Sequence, residues 1–247
     1  MKVLIADKLP EASLAALGEA GFQVTADPAL KDATLVAAIA ELQPEILIVR
    51  STTVTRAALE AGPLALVIRA GAGVNNVDCA AASGLGIYVA NCPGKNAIAV
   101  AELTWGLILS LDRKIPDCVL DIRAGRWRKK HYGSAQGLYG RTLGLVGFGA
   151  IGREVAARAR GFGMPVVAWS RSLTPARAQA EGLTYAASPH DVARQADVVS
   201  VHVALTDETR GMIDAGFFAA MRSGAFFVNT SRGAVVDANA LGAAVAG

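Results

Sequence analysis

An α/β architecture built on two doubly wound parallel sheets follows from three observations on this 247-residue chain. Short apolar, strand-like runs alternate with longer helical stretches from end to end, the pattern of successive βαβ units. Aromatic residues are sparse while Ala, Val, Leu, Ile and Gly are abundant, which suits helices packed against strands buried on both faces. One strand-like run ends in a glycine-spaced turn that opens directly into a helical stretch.

Taken in order, the first series of strands falls at residues 3–6, 22–25, 45–49, 65–69 and 87–89. Helical stretches at 11–20 and 33–42 lie between them, and Gly21 stands where a C-terminal glycine cap belongs. A long helical stretch covers 96–124, with Pro116 expected to kink or break it, because proline lacks the amide a helix interior needs. After a loop at 125–140, a second series of strands falls at 142–147, 165–169, 184–186, 197–203 and 225–229. The boundary between the series is expected near Cys92-Pro-Gly94, giving domains at 1–94 and 95–247. The last helical stretch, 237–246, is the kind of crossover that delivers a further parallel strand. Without that strand the fifth would lie at an open edge, so the second domain is expected to be C-terminally incomplete and the chain part of a longer protein.

Composition excludes several classes of function. The net charge of +3 is small, and the densest basic run, Arg126-Trp-Arg-Lys-Lys130, is local, so no nucleic-acid partner is expected. No apolar run reaches the roughly 18 residues of a membrane span, and the apolar part of Met1-Lys-Val-Leu-Ile-Ala-Asp7 is too short for a signal peptide. Cys79, Cys92 and Cys118 are odd in number, far apart and without C-x-x-C spacing. They argue for a reducing compartment and against a zinc site or disulfide framework. A soluble cytoplasmic protein without a metal site is the expectation.

The chemistry concentrates in Thr142-Leu-Gly-Leu-Val-Gly-Phe-Gly-Ala-Ile-Gly152. Gly147 permits a tight turn, Gly149 lets a pyrophosphate approach the backbone, and Gly152 lets helix pack on strand. The helix that follows, 150–162, points free amides and the positive end of its dipole at such an anion. The pattern with a strand before it and a helix after it points to a dinucleotide cofactor, NAD or NADP. About 20 residues on, where NAD sites place an acidic residue for the ribose, the chain has Ser170 followed by Arg171. Hydroxyl and guanidinium can donate to a 2′-phosphate that a carboxylate would repel, which favours NADP. The plainer alternative leaves Arg171 solvating a loop while NAD binds without an acidic partner. Arg232, after the last strand, stands at the carboxyl edge where open α/β sheets bind ligands. It could clamp a substrate carboxylate in bidentate fashion, or it could be a surface charge.

Six segments occur in a characteristic order: Val49-Arg-Ser-Thr52, Arg69-Ala-Gly-Ala-Gly-Val-Asn-Asn-Val-Asp78, Cys92-Pro-Gly-Lys-Asn-Ala-Ile-Ala-Val-Ala-Glu-Leu103, the glycine turn, Val201-His-Val-Ala-Leu205 and Asn229-Thr-Ser-Arg-Gly233. In this the chain resembles the D-2-hydroxyacid dehydrogenases over essentially its whole length, and most of all the phosphoglycerate dehydrogenases among them. The resemblance implies a flavodoxin-like substrate domain, a Rossmann NAD(P)-binding domain and a homodimer formed through the latter. It makes Arg232 the catalytic arginine that holds the substrate's carboxylate and carbonyl. Arg50, Ser51 and the backbone of Ala72, Gly73 and Val74 match loops that grip the acid end of the substrate, and Asn96 lies near them at the start of the long helix. Ala150 and Ile151 match pyrophosphate-binding amides, Ser170 the ribose position, Val203 the loop after the fourth strand, and Thr230 and Ser231 the nicotinamide side. The family's catalytic Glu and His belong to segments that would follow residue 247, so the 247 residues alone are expected to be inactive or nearly so. Of the histidines present, His202 reads as structural or adenine-side, and His131 and His190 as solvated loop residues. The basic segment 123–130 is either a solvated helix end or a phosphate-friendly patch near the dimer contact. Two alternatives stand beside a phosphoglycerate-type dehydrogenase: an NADPH-dependent glyoxylate/hydroxypyruvate reductase, and a non-catalytic NAD(P)H-sensing regulator on the same fold.

Overall fold

The structure, a computed structural model, describes residues 1–246. By contact density the chain divides into two compact units, Met1–Asn96 and Ala97–Gly247.

The first unit runs β1 (Lys2–Ile5), α1 (Glu11–Glu19), β2 (Gln23–Ala26), α2 (Asp32–Leu42), β3 (Ile46–Val49), α3 (Arg56–Glu60), β4 (Leu66–Arg69), α4 (Cys79–Gly84) and β5 (Tyr88–Asn91). All five strands are parallel, in the order β2-β1-β3-β4-β5, which is the flavodoxin-like winding. Period-two alternation explains how the sheet is covered. Leu4, Leu47, Val49 and Val67 pack on Leu35 and Ile39 of α2 and Leu59 of α3, while Val3, Ile5, Ile46 and Ile48 form the opposite cluster, against Leu14 and Leu17 of α1. The winding reverses between β1 and β3, and the carboxyl ends of these strands deliver Asp7 and Arg50 to one edge.

The second unit opens with α5 (Ala97–Arg113), α6 (Ile115–Arg123) and α7 (Lys129–Tyr132). It continues with β6 (Leu143–Val146), α8 (Ala150–Gly161), β7 (Val166–Trp169), α9 (Pro175–Ala180), β8 (Thr184–Tyr185), α10 (Pro189–Gln195) and β9 (Val198–Val201). It closes with α11 (Ala215–Ala220), β10 (Phe226–Asn229), a 3-10 turn (Gly233–Val235) and α12 (Ala238–Ala246). The parallel order β10-β9-β6-β7-β8 is that of a Rossmann sheet, with its switch point between β6 and β9. One face packs Leu143 and Leu145 under Trp105 and Ile108 of α5 and Val155 and Ala159 of α8. Trp105 stacks on Phe162 at 4.4 Å and donates its indole N–H to the Val155 carbonyl. The other face packs Val146, Val167, Val199 and Val201 against Val192 of α10 and Phe217 of α11.

The long helical stretch breaks, as expected from Pro116, though two residues before the proline, at Lys114, which adopts a left-handed φ of 50° and separates α5 from α6. Pro116 itself lies in the first turn of α6, where its missing amide would have had no partner. One expectation needs correction. His131 and His190 are not loop residues, since they lie on α7 and α10.

Candidate functional site

In the first unit, Asp7 is the organising residue. Its carboxylate, two residues beyond the end of β1, accepts the backbone N–H of Arg50 at 2.7 Å and those of Ser51 and Thr52 at 3.0 Å. Burial raises its pKa, but these three amides and the Thr52 hydroxyl outweigh that and hold the carboxyl below its usual value. The amides of Arg50 and Ser51 are thus committed within the protein, and only their exposed side chains remain for a ligand. The facing loop behaves differently. Ala72 and Val74 use their carbonyls on Asn91 Nδ2 and the Val77 amide, and among the described residues nothing accepts the N–H of Ala72, Gly73 or Val74. Asn76 Nδ2 donates to the Thr52 carbonyl at 2.7 Å and stitches the two loops together. The result is a row of free amide donors at the carboxyl edge of β4, suited to an anionic group. Asn96, exposed, is the last residue of this unit, immediately before α5.

In the second unit the three glycines meet three different surroundings. Gly147 has a φ of +106°, and a Cβ there would lie 2.6 Å from the His202 carbonyl oxygen and 3.0 Å from the Val203 amide. A Cβ on Gly152 would fall on the Gly147 carbonyl oxygen. Both are therefore glycines because the protein's own backbone comes too close. A Cβ on Gly149 meets nothing within 4 Å. Nothing inside the protein fills the space beside that position, which leaves its backbone open to a ligand. Gly149 is also the N-cap of α8 and offers no side-chain cap. The N–H groups of Ala150, Ile151 and Gly152 consequently lack partners of helical origin. Open backbone and uncapped amides fit the pyrophosphate of a dinucleotide.

Beside this turn lies a cleft of about 380 Å³. Gly149 and Ala150 line it from the turn, Ser170, Ser172 and Leu173 from the segment after β7, and Arg153 and Arg177 from α8 and α9. No carboxylate lines it. Ser170 lines the cleft beside the glycine turn. Arg171 is exposed and outside the lining. It makes a small contribution to Glu208, whose carboxyl is held low chiefly by the Thr206 hydroxyl. The cations at the cleft are instead Arg153, which covers the Phe148 ring at 4.6 Å and pairs with Glu181, and Arg177, which has no ion-pair partner among the described residues. Arg177 escapes a reading of spacing because the turn into α9 brings it back seven residues after Ser170; the N-cap Thr174 that starts α9 is the signal that could have found it.

The segment after β10 is wound around Asn229. Its Oδ1 accepts both the N–H and the hydroxyl of Ser231, at 2.9 and 2.7 Å, and its Nδ2 donates to the Arg232 carbonyl at 3.0 Å. Ser231 therefore spends its hydroxyl internally, while Arg232 stays exposed, with one guanidinium nitrogen donating to the Ser231 carbonyl and the rest available. Thr230 is turned inward, 3.0 Å from the buried Thr104 hydroxyl. Val203, half-buried, follows β9 beside Gly147.

The histidines separate clearly. Burial pushes His202 down to about 4, so it is neutral at neutral pH. His131 is exposed, and His190 lies 3.7 Å from Asp214. The basic segment is partly structural: Arg126, Arg128 and the Tyr132 hydroxyl converge on the Asp121 carboxylate, with the Tyr132 oxygen at 2.5 Å. The Tyr132 hydrogen bond, ahead of those from the arginines, holds Asp121 down to about 2. No group of metal-ligating side chains occurs among the described residues.

Residues 105–247 match the family model described as D-isomer specific 2-hydroxyacid dehydrogenase, NAD binding domain. The chain is 37% identical over 243 residues to a D-3-phosphoglycerate dehydrogenase of Methanocaldococcus jannaschii, covering 98% of this chain and 46% of that protein. It is 38% identical over 233 residues to a hydroxypyruvate reductase of Thermotoga maritima, covering 94% of this chain and 74% of that one. Among solved structures, the TT0316 protein from Thermus thermophilus superposes with a TM-score of 0.89 at 33% identity, over 100% of this chain and 79% of the other. The chain spans about half the length of the phosphoglycerate dehydrogenases it matches.

Proposed function

The chain belongs to the D-isomer specific 2-hydroxyacid dehydrogenases, and from that premise we propose that it serves the interconversion of a D-2-hydroxy acid and its 2-oxo acid with NAD or NADP. The substrate is of the phosphoglycerate type, residues 1–94 bind it, and residues 95–247 bind the nucleotide. The observation that carries this reading is the turn at Gly149, where an open glycine meets an uncapped helix.

When bound, the nicotinamide supplies or accepts the hydride at the substrate carbon. The amides of Gly149, Ala150 and Ile151 hold the pyrophosphate, Ser170 the ribose, and the backbone at Val203, Thr230 and Ser231 the nicotinamide end. Arg232 clamps the substrate carboxylate and draws electron density from the carbonyl, two tasks a planar fork of donors performs together. The free amides of Ala72, Gly73 and Val74, with the side chains of Arg50 and Ser51, hold an anionic group of the substrate, and Asn96 assists them. A guanidinium clamps and polarises but is not a proton donor in catalysis, so Arg232 does not hand over a proton. His202 is neutral at neutral pH and cannot do so either. The proton for the developing alkoxide comes from another group.

One observation favours the second reading, a glyoxylate/hydroxypyruvate reductase using NADPH: the ribose end of the cleft holds Ser170 and Arg177 and no carboxylate. A homodimer through the second unit is supported by exposed apolar stripes, Leu103, Leu107 and Leu111 on α5 and Ile115, Val119 and Ile122 on α6. The three free cysteines suit a cytoplasmic setting, and no described helix is long and apolar enough to cross a membrane. Titrating the protein separately with NADH and NADPH tests the reading. Saturable binding of both, tighter for NADPH, is expected; binding of neither overturns it.

A further inference from the structure

Four side chains on α5, β9 and the segments after β9 and β10 form one hydrogen-bonded chain: Ser200, His202, Thr230 and Thr104. Ser200 and Thr104 are fully buried, so each proton in the chain must find an acceptor inside it. Thr104 Oγ1 donates to the Val100 carbonyl one turn back, at 2.8 Å. Having spent its proton there, Thr104 can only accept at its 3.0 Å contact with Thr230. Thr230 thereby spends its own proton and can only accept at its 3.4 Å contact with His202 Nδ1. That nitrogen must carry hydrogen. Ser200 Oγ lies 2.9 Å from Nε2 and has no other side-chain partner among the described residues, so it donates to a bare Nε2. The opposite tautomer would set lone pair against lone pair at Thr230 and leave the Ser200 proton without an acceptor.

We propose that His202 is a positioning residue: as the neutral Nδ1–H tautomer it holds the Thr230 hydroxyl inward and thereby sets the segment that presents Ser231 and Arg232. Thr230 joins the end of β10 to the Asn229-wound turn. With its side chain fixed on α5 at one end and on the imidazole at the other, the turn that follows starts from one orientation. The burial that keeps the ring uncharged at neutral pH agrees with this assignment. The consequence for cofactor and substrate rests on the function proposed above; the tautomer and the order of the turn do not.

The test is therefore made on the full 247-residue chain without ligand. Long-range proton–nitrogen spectra of the labelled wild type are expected to show a protonated Nδ1 and a bare Nε2 on His202 at neutral pH. An Nε2–H or doubly protonated ring overturns the proposal. His202→Asn keeps an amide donor near the place of Nδ1, whereas His202→Gln places its amide toward Nε2, and His202→Leu offers neither. Amide exchange at Ser231, whose N–H Asn229 Oδ1 holds at 2.9 Å, is expected to stay at the wild-type rate in the Asn variant. It is expected to rise about fivefold in the Gln and Leu variants, the equivalent of one net hydrogen bond. Equal exchange in all three overturns the positioning role. Thr104→Val, which removes the far anchor of Thr230 without touching the imidazole, is expected to raise exchange at the Ser231 amide, and an unchanged rate there would also overturn it. NADH affinity measured on the same variants reports separately on the functional reading.

Discussion

Replacing Gly149, Gly147 and Gly152 one at a time by alanine separates what the protein requires from what its ligand requires. At Gly149 the backbone, φ −87° and ψ −156°, is extended and open to any residue, and the new methyl meets nothing. The cost is that of alanine at an N-cap, about 0.5–1 kcal/mol, partly offset by the reduced entropy of the unfolded chain. Stability should hardly move. That methyl instead occupies the ground where a pyrophosphate must approach, and losing charge-assisted hydrogen bonds worth about 1.5–3 kcal/mol weakens binding roughly 10- to 100-fold. At Gly147 the same change forces a left-handed backbone and drives the methyl to 2.6 Å from the His202 carbonyl oxygen. Strain and overpacking together cost roughly 2–5 kcal/mol, a large share of the stability of a domain. Gly152→Ala, in a helix interior where alanine is the better residue by about 1 kcal/mol, is still expected to destabilise, because its methyl falls on the Gly147 carbonyl oxygen. Urea unfolding and NADH titration on the three variants read the two effects apart. A Gly149→Ala protein that binds NADH as the wild type does refutes the pyrophosphate assignment. A Gly147→Ala protein of undiminished stability refutes the packing argument.

Other consequences follow from single residues. Asp7→Ala leaves the amides of residues 50–52 without their acceptor and is expected to cost about 1–3 kcal/mol at neutral pH, read by urea unfolding. The folded-state pKa of Asp7 lies below its unfolded value, so its contribution is complete above the unfolded value near 3.8 and is lost as pH falls through the lower folded value; wild type and variant should converge there. Arg177→Ala should reduce the preference for NADPH over NADH about tenfold, as expected for a charge-assisted contact, with Arg171→Ala changing it less; the ratio of dissociation constants decides. Leu107→Glu puts a charge in the exposed stripe of α5 and should shift sedimentation toward the monomer, while a variant sedimenting as the wild type does would remove the stripe from any dimer contact.

The sheets were legible because buried parallel strands announce themselves as short runs such as Ile46-Leu-Ile-Val49, and the glycine turn because its spacing has a mechanical meaning. A break near Pro116 was legible too, but its place at Lys114 was not, since lysine is a good helix former and nothing in its residue type marks a left-handed backbone. The helices α3, α4, α9 and α11 are too short for a helical period to show. Each nevertheless begins at a Thr or Asp whose side chain accepts an amide three residues on: Thr55, Asp78, Thr174 and Asp214. The role of Asp7 was hidden for a different reason: its partners lie 43 to 45 residues away and are backbone amides, which no residue type reveals. Asn229 lies in the same segment as Arg232, but its role is to wind the turn through its side-chain amide, which its residue type alone does not reveal.

Amide chemical-shift mapping of NADH onto the labelled 247-residue chain tests the central claim most directly. The largest shifts are expected at Gly149, Ala150, Ile151 and Gly152, with a second group at Ser170 and Thr230, and little change at residues 3–6 in the first sheet. Shifts centred away from the glycine turn, or none at saturating NADH, would contradict it.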